Sequence, residues 1–143
     1  TVMSLWQDTP LDYGAYYTCT TTAWGCYVSG SSSVTPSYHG LKAYGDIVRY
    51  PVRTVCSCDG EKMTVLSGRD EENNHALLIA GFSTGDVCCE ITLDREIPEG
   101  KCKVYLLDEN HNLSEALQAE IKGDKIRFEN KSNSFVALVK LAK

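Results

Sequence analysis

The sequence predicts a mainly β fold, an antiparallel β-sandwich with one short α-helix near residues 36–49. The chain has 143 residues, which is enough for one domain with one sizeable core. After Pro51 the sequence is a series of short runs that alternate polar and apolar residues, separated by turn residues. One earlier stretch has helical spacing instead. The alternation of polar and apolar residues after Pro51 favours antiparallel sheets with one face towards water.

The helix is predicted from its start signal and from one apolar face. Thr35 is a good N-cap, and Pro36 suits the first helical turn. The residues that fall on one face at helical spacing are Tyr38, Leu41, Gly45 and Val48.

The remaining elements are extended. In chain order, we predict strands at residues 2–7, 15–20, 24–28, 52–58, 62–67, 75–82, 87–93, 103–107, 126–129 and 134–141. Residues 113–121 fit either a strand or a helix. A change in composition near Tyr50-Pro51 divides the chain into residues 1–50, an extended segment with the helix, and residues 51–143, the β-sandwich domain.

Charge and hydropathy argue against two classes of partner. The net charge is −5 with no basic patch, so a nucleic-acid surface is not expected. No apolar run approaches the roughly 18 residues of a membrane span. Apolar sequence begins directly after Thr1, which indicates a piece of a longer protein whose targeting segment would lie upstream. The localisation of that parent protein is therefore open.

Seven cysteines are present, an odd number, and most lie in apolar runs where a reduced thiol behaves as a small hydrophobe. We expect reduced, structural thiols, which lean towards a cytoplasmic location, although a disulfide framework is possible. Cys56-x-Cys58 and Cys88-Cys89 lack the spacing of structural zinc ligands, so no metal and no cofactor is expected. A Cys–His dyad stays open, because its partners need only meet in space.

Three segments resemble a known enzyme architecture. Residues 36–46, PSYHGLKAYGD, resemble the last barrel helix of clan-A glycoside hydrolases, closest to family 39, the β-xylosidase and iduronidase type. Residues 2–8 then resemble the eighth barrel strand, and Trp24-Gly25-Cys26-Tyr27 the loop leading to the helix. The strand pair at residues 63–69 and 76–81, with residues 106–112 and 134–141, resembles the C-terminal sandwich of that family.

The resemblance implies that the catalytic carboxylates lie upstream of Thr1, near the ends of barrel strands four and seven. No catalytic residue is therefore assigned in this chain, and the implied partner is a catalytic barrel domain of the same parent chain. Trp6 and Asp8, at the end of the eighth strand, are the residues expected near the sugar pocket. The acidic pairs Glu71-Glu72 and Asp108-Glu109 are expected to be turn charges, because neighbours on a strand point to opposite faces.

Aromatic residues before the helix support a binding hypothesis. They are Trp6, Tyr13, Tyr16, Tyr17, Trp24 and Tyr27. Such side chains stack on sugars or pack where two layers meet. The candidate carbohydrate-binding residues are Trp6, Asp8 and Trp24.

Three functions follow from these patterns: a non-catalytic accessory module of a glycoside hydrolase, an independent carbohydrate-binding module, or a structural or protein-interaction domain. The strand predicted at residues 2–7 would have an unpaired edge, which favours addition to the sandwich or a homodimer.

Overall fold

Two antiparallel β-sheets and one packed helix form the framework of the part of the chain that the structure describes. The computed structural model describes residues 2–15, 19–20, 25–116 and 118–143. In chain order the elements are α1 (Val2–Trp6), α2 (Pro36–Ile47), β1 (Val52–Arg53), β2 (Met63–Arg69), β3 (His75–Phe82), β4 (Val87–Thr92), β5 (Cys102–Leu107), β6 (Asn112–Glu115), β7 (Glu120–Lys122), β8 (Lys125–Asn130) and β9 (Ser134–Leu141). The predicted mainly β fold is confirmed.

The larger sheet has the strand order β1-β2-β3-β9-β5-β6, and the smaller sheet has the order β4-β8-β7. All their pairings are antiparallel. The long central pair is β3 with β9, running from His75 opposite Leu141 to Phe82 opposite Ser134. Residues 76–81 of β3 are all buried. That continuous burial arises because both faces of this central strand are covered.

The first core lies between the two sheets. Alternate residues of β9, among them Phe135, Ala137 and Val139, point towards the smaller sheet. The smaller sheet contributes Ile126 and Phe128, both buried. The rings of Phe128 and Phe135 meet edge-on, with their centroids 6.4 Å apart. This contact joins β8 to β9 across the sandwich.

The second core lies on the opposite face of the larger sheet, under α2. Ala43 and Ile47 of the helix pack with Leu66, Leu78 and Leu138 of the sheet. The helix predicted near residues 36–49 is confirmed, although it ends at Ile47. A further link joins the helix to β9, where the Lys140 ammonium lies 3.0 Å from the Asp46 carboxylate.

Residues 2–7 were predicted as a strand, and this prediction is wrong, because Val2–Trp6 form the short helix α1. The prediction of a single helix therefore misses one. A short apolar run does not distinguish strand from helix by its periodicity. A helix also satisfies its own backbone hydrogen bonds, whereas a strand needs a neighbour, and no described strand pairs with this segment. The predicted homodimer would form through a strand at residues 2–7, but this segment contains the helix α1.

The segment at residues 52–58 is also different from its prediction. Pairing with β2 covers Val52 and Arg53, and the Thr54 N–H still donates to the Ser67 carbonyl at 3.1 Å. Beyond that point the chain leaves the sheet edge, and Val55 is fully exposed. The polar–apolar alternation of residues 52–58 therefore does not correspond to a buried and an exposed face.

Three other predicted segments lie partly outside the described residues. The strands predicted at residues 15–20 and 24–28 include residues that the structure does not describe. The described part contains a single bridge there, between Tyr27 and Val34. Residues 113–121, predicted as strand or helix, overlap the two short strands β6 and β7 within their described part.

The boundary at Tyr50-Pro51 stays a prediction. Across it, Gly68 of β2 lies so close to Tyr50 that an added Cβ would overlap the Tyr50 carbonyl oxygen. Among the described helices, none combines the length and the apolar character needed to cross a lipid bilayer.

Candidate functional site

Trp6 is the last residue of α1, and one side of its ring is covered. The ring lies against the backbone of Gly14, where an added Cβ would be 3.0 Å from the Trp6 Cζ3 atom. The Thr9 hydroxyl donates to the Trp6 carbonyl oxygen at 2.9 Å, which closes the turn after the helix. Trp6 therefore retains one partly exposed side on which another surface can pack.

Asp8 is held by a two-point ion pair. Arg53 donates from both terminal nitrogens to the two Asp8 carboxylate oxygens, at 2.7 and 3.2 Å. The hydrogen bond from Arg53 lowers the pKa of Asp8, and the positive charge of Arg53 acts in the same direction. Fork geometry of this kind fixes the direction of both side chains. Asp8 thus acts here as an anchor between the N-terminal segment and β1.

A second anchor links the N-terminal segment to α2. The Gln7 side-chain amide donates to the Tyr44 hydroxyl. The helix α1 also contacts β2. Together with the Asp8–Arg53 pair, these contacts attach residues 2–14 to the edge of the larger sheet and to α2.

The same segment exposes a set of large apolar side chains. Val2, Leu5 and Trp6 occur at helical spacing on one side of α1, and Val2 and Leu5 are 58% and 55% exposed. Leu11 is exposed in the turn that follows, and Tyr13 is 80% exposed. We refer to these five residues as the N-terminal apolar surface. Single exposed apolar residues are ordinary, but a group of them on one anchored segment is typical of a contact surface.

The predicted aromatic cluster is described only in part. Trp24, a candidate carbohydrate-binding residue, lies outside the described residues, as do Tyr16 and Tyr17. Tyr27 lies beside the start of α2, where its ring is 5.8 Å from that of Tyr38. Of the three candidates, the structure describes Trp6 and Asp8, which stand two residues apart at the end of α1.

A cleft of about 600 Å³ separates the edge of the larger sheet from β4. Residues 54–60 and β2 form one wall, and β4 with residues 93–95 forms the other. Cys56, Cys58, Cys88 and Cys89 all line it. Burial raises the pKa of Cys89 to about 11, so this thiol is neutral at physiological pH. Within the described ranges, no three residues among His, Cys, Asp and Glu come together as metal ligands would.

Several acidic side chains have structural partners. Asp108 accepts hydrogen bonds from the backbone N–H groups of Asn110 and His111 and contacts the His111 ring at 2.8 Å. Asp70 accepts from the backbone of Glu72 and Asn74 in the turn before β3. These bonds are typical of turns closed by an aspartate. The predicted turn role of Asp108 therefore has a direct structural basis.

Sequence reasoning missed several features of the N-terminal segment and its anchors. Arg53 was part of a predicted strand, and its pairing with Asp8 spans 45 positions, so no local pattern indicated it. Leu5 and Leu11 were not singled out. The spacing of Val2, Leu5 and Trp6 fits one side of a helix, but a run this short does not distinguish a helix from a strand.

Comparisons with known proteins found similarity at the level of structure. No family model matches the sequence. No curated protein matches it either.

The fold is similar to parts of three solved glycoside hydrolases. A GH30 endoxylanase from Clostridium papyrosolvens C71 has a TM-score of 0.61 at 11% identity, with 76% of this chain and 28% of that chain covered. The family 30 subfamily 8 xylanase Xyn30A from Clostridium acetobutylicum has a TM-score of 0.64 at 8% identity, with 82% and 31% covered. The catalytic domain of GH30 xylanase C from Talaromyces cellulolyticus has a TM-score of 0.63 at 11% identity, with 80% and 26% covered.

At these identities the similarity concerns the fold alone. Most of this chain corresponds to between a quarter and a third of each of the three enzyme chains. The resemblance to glycoside hydrolases of clan A is supported at this coarse level. The specific resemblance to family 39 is not supported, because these three structures belong to family 30.

Proposed function

We propose that this chain is the non-catalytic β-sandwich module of a glycoside hydrolase, and that it packs on and stabilises a catalytic barrel of the same parent protein. The observation that carries the proposal is the fold similarity to a limited part of three xylanase chains. Since one fold serves many functions, the proposal needs support from the molecule itself. Two features provide it.

The first feature is the N-terminal apolar surface. The ion pair between Asp8 and Arg53 and the hydrogen bond from Gln7 to Tyr44 hold the segment in place. Its apolar residues nevertheless remain exposed. A fixed apolar surface on a folded domain is suited to contact with another protein layer, because no loop needs to be ordered when the contact forms. We assign the barrel as the layer that covers it.

The second feature is the use of the acidic residues. Glycosidases need two carboxyl groups that face each other across the scissile bond, with at least one free to exchange a proton. Asp8, Glu90 and Glu115 pair with basic side chains, and Asp70 and Asp108 hold turns. These five carboxylates are held by structural partners, so none of the five is proposed as a catalytic group.

The proposed substrate class of the parent enzyme is a xylan-type plant polysaccharide. The three similar structures are described as xylanases or an endoxylanase, and the proposal transfers that substrate class to the parent protein. The module itself would contribute stability and not bond cleavage.

The first test is a hydrolysis and binding assay on the purified chain. We expect no release of reducing sugar from xylan or β-glucan, and no retention of the chain on either insoluble polysaccharide. Release of reducing sugar would contradict the non-catalytic role. Retention without hydrolysis would favour the alternative, an independent carbohydrate-binding module, and Trp6→Ala should then abolish retention.

The second test compares two matched substitutions, Val2→Glu and Val55→Glu. Both valines are exposed in the chain, but only Val2 belongs to the N-terminal apolar surface. In the native polypeptide with its barrel, Val2→Glu should lower stability by at least about 2 kcal/mol, because a contact is lost and a charge is placed in an apolar interface. Val55→Glu should have little effect.

The isolated chain provides the control for this comparison. There, both variants should unfold at nearly the same denaturant concentration as the unchanged chain, because neither valine packs into a described core. Equal effects of the two substitutions in the native polypeptide would count against the docking surface. That result would favour a structural or protein-interaction domain without a barrel partner.

A further inference from the structure

Cys19 and Cys26 are held next to each other by the backbone. The Cys19 carbonyl oxygen accepts hydrogen bonds from the N–H groups of both Cys26 and Tyr27, at 3.0 and 3.1 Å. A direct N–H···O=C bond brings the two backbones into contact, which is compatible with the Cα separation of roughly 4.4–6.8 Å that a disulfide spans. The other described cysteines have no comparable backbone link to one another.

The two thiols differ in their access to solvent. Cys19 is exposed, whereas Cys26 is only 2% exposed. Burial raises the pKa of Cys26, and the neighbouring Cys19 thiol raises it further through hydrogen bonding and charge. An exposed thiol beside a buried one forms an attacking group and a resolving group.

We propose that Cys19 and Cys26 form an intramolecular disulfide when the protein meets a small-molecule disulfide such as oxidised glutathione. The proposal does not depend on the proposed function, since it concerns the chemistry of this chain alone. It changes one expectation from the sequence, which was that the seven cysteines remain reduced structural thiols.

The reaction is an ordinary thiol–disulfide exchange. The Cys19 thiolate attacks one sulfur of oxidised glutathione, the S–S bond of glutathione breaks, and one glutathione thiolate leaves. Cys26 then loses its proton to solvent and attacks the Cys19 sulfur, which releases the second glutathione thiolate. The protein thiols lose two electrons in total, and oxidised glutathione gains both. Protonation of the leaving groups gives two molecules of reduced glutathione.

The bond would join two parts of the chain at the start of α2. The Thr35 N–H donates to the Cys26 carbonyl at 3.0 Å, and the Thr35 hydroxyl donates to the Gly25 carbonyl at 2.5 Å. Thr35 immediately precedes α2. A disulfide at Cys26 would therefore tie Cys19 covalently to a strand-like segment that is already attached to the helix.

The remaining cysteines form natural controls. Cys56 and Cys58 are two positions apart, too near in sequence for an unstrained bond in extended chain. Cys88 is exposed and Cys89 is buried, as expected for neighbours on opposite faces of β4. Cys102 is buried, and burial raises its pKa to about 11. None of these five thiols should form an intramolecular disulfide under the same conditions.

Tryptic cleavage separates these groups cleanly. Lys42 is the first Lys or Arg of the chain, so the tryptic peptide of residues 1–42 contains Cys19 and Cys26 and no other cysteine. The peptide of residues 54–62 contains Cys56 and Cys58 as a matched two-cysteine control.

The experiment equilibrates the folded chain with oxidised and reduced glutathione. Acid then quenches exchange, the chain is denatured and alkylated, and the tryptic peptides are weighed. We expect peptide 1–42 to carry no alkyl group and to be lighter by two hydrogen atoms than its reduced form. Peptide 54–62 should contain no internal disulfide, so each of its two cysteines should carry either an alkyl group or one glutathione.

Two variants separate the steps. Cys26→Ser should leave Cys19 as a mixed disulfide with glutathione, because the resolving thiol is missing. Cys19→Ser should leave Cys26 as a free thiol, because burial shields it from the oxidant. Circular dichroism of each variant checks that the chain remains folded.

Three results would overturn the proposal: two alkyl groups on peptide 1–42, glutathione on both of its cysteines, or a cross-link from it to another peptide. The same treatment in urea tests the role of the folded geometry. An equal or higher disulfide fraction in the unfolded chain would mean that sequence separation alone accounts for the bond, which also contradicts the inference.

Discussion

Leu138→Ala tests the packing of α2 on the larger sheet. Leu138 is in β9 and is 1% exposed, where it packs with Ala43 and Ile47 of the helix. The substitution removes three carbon atoms, worth about 0.8 kcal/mol each in transfer free energy, or roughly 2.4 kcal/mol. The cavity left between two rigid layers adds to this, so the free energy of unfolding should fall by about 3–4 kcal/mol.

Urea unfolding of the isolated chain, followed by circular dichroism, measures this loss. With an m-value of about 2 kcal/mol per molar urea, the midpoint should fall by roughly 1.5–2 M. Leu5→Ala is the matched control, because the same atoms are removed from a leucine that is 55% exposed on the N-terminal apolar surface. It should cost less than about 1 kcal/mol. A loss below about 1 kcal/mol for Leu138→Ala, or equal losses for both variants, would refute the assignment of the helix–sheet core.

Three further predictions concern backbone contacts and pH. Gly68→Ala should destabilise the chain by about 1–3 kcal/mol, because its new Cβ overlaps the Tyr50 carbonyl oxygen, and urea unfolding measures this. Gly45→Ala should instead stabilise it by about 0.5–1 kcal/mol in the same assay, because the site lies within α2 and has open space around it. Burial, with the positive charge of Arg95, lowers the pKa of His75, so the folded chain binds this proton less readily than the unfolded chain. Stability should therefore fall as the pH decreases from about 6.5 through that lowered pKa, and the fall should be smaller in His75→Gln; an unchanged pH profile would contradict this.

The strands of the sandwich were predictable where their burial produces a recognisable run of apolar residues. The strands β3 and β9 have the predicted bounds, because each lies between two neighbours and is buried over most of its length. The position of the helix was predictable from Thr35 and Pro36, but its packed face was not, because Ala43 and Ile47 are buried whereas Gly45 and Val48 of the predicted face are exposed. The turn before β8 was also predictable, since Gly123 has a positive φ of 60° there.

The N-terminal region was not predictable in the same way. Its short apolar run fits strand and helix equally well, and the resemblance to a barrel strand favoured the wrong alternative for residues 2–7. The anchors of Asp8 and Gln7 connect positions 45 and 37 residues apart, so they arise from tertiary structure and leave no local signal. The same limit applies to Cys19 and Cys26, whose closeness depends on the hydrogen bonds between their backbones.

The most direct test of the central claim is to isolate the native polypeptide that carries this sequence, with an antibody raised against the chain. Intact mass and reducing-sugar release from xylan are then measured on the same sample. We predict a polypeptide with at least about 250 further residues, the usual length of a catalytic barrel, and measurable hydrolysis that the isolated chain lacks. A native polypeptide of 143 residues without hydrolytic activity would contradict the claim that this chain is a module of a glycoside hydrolase.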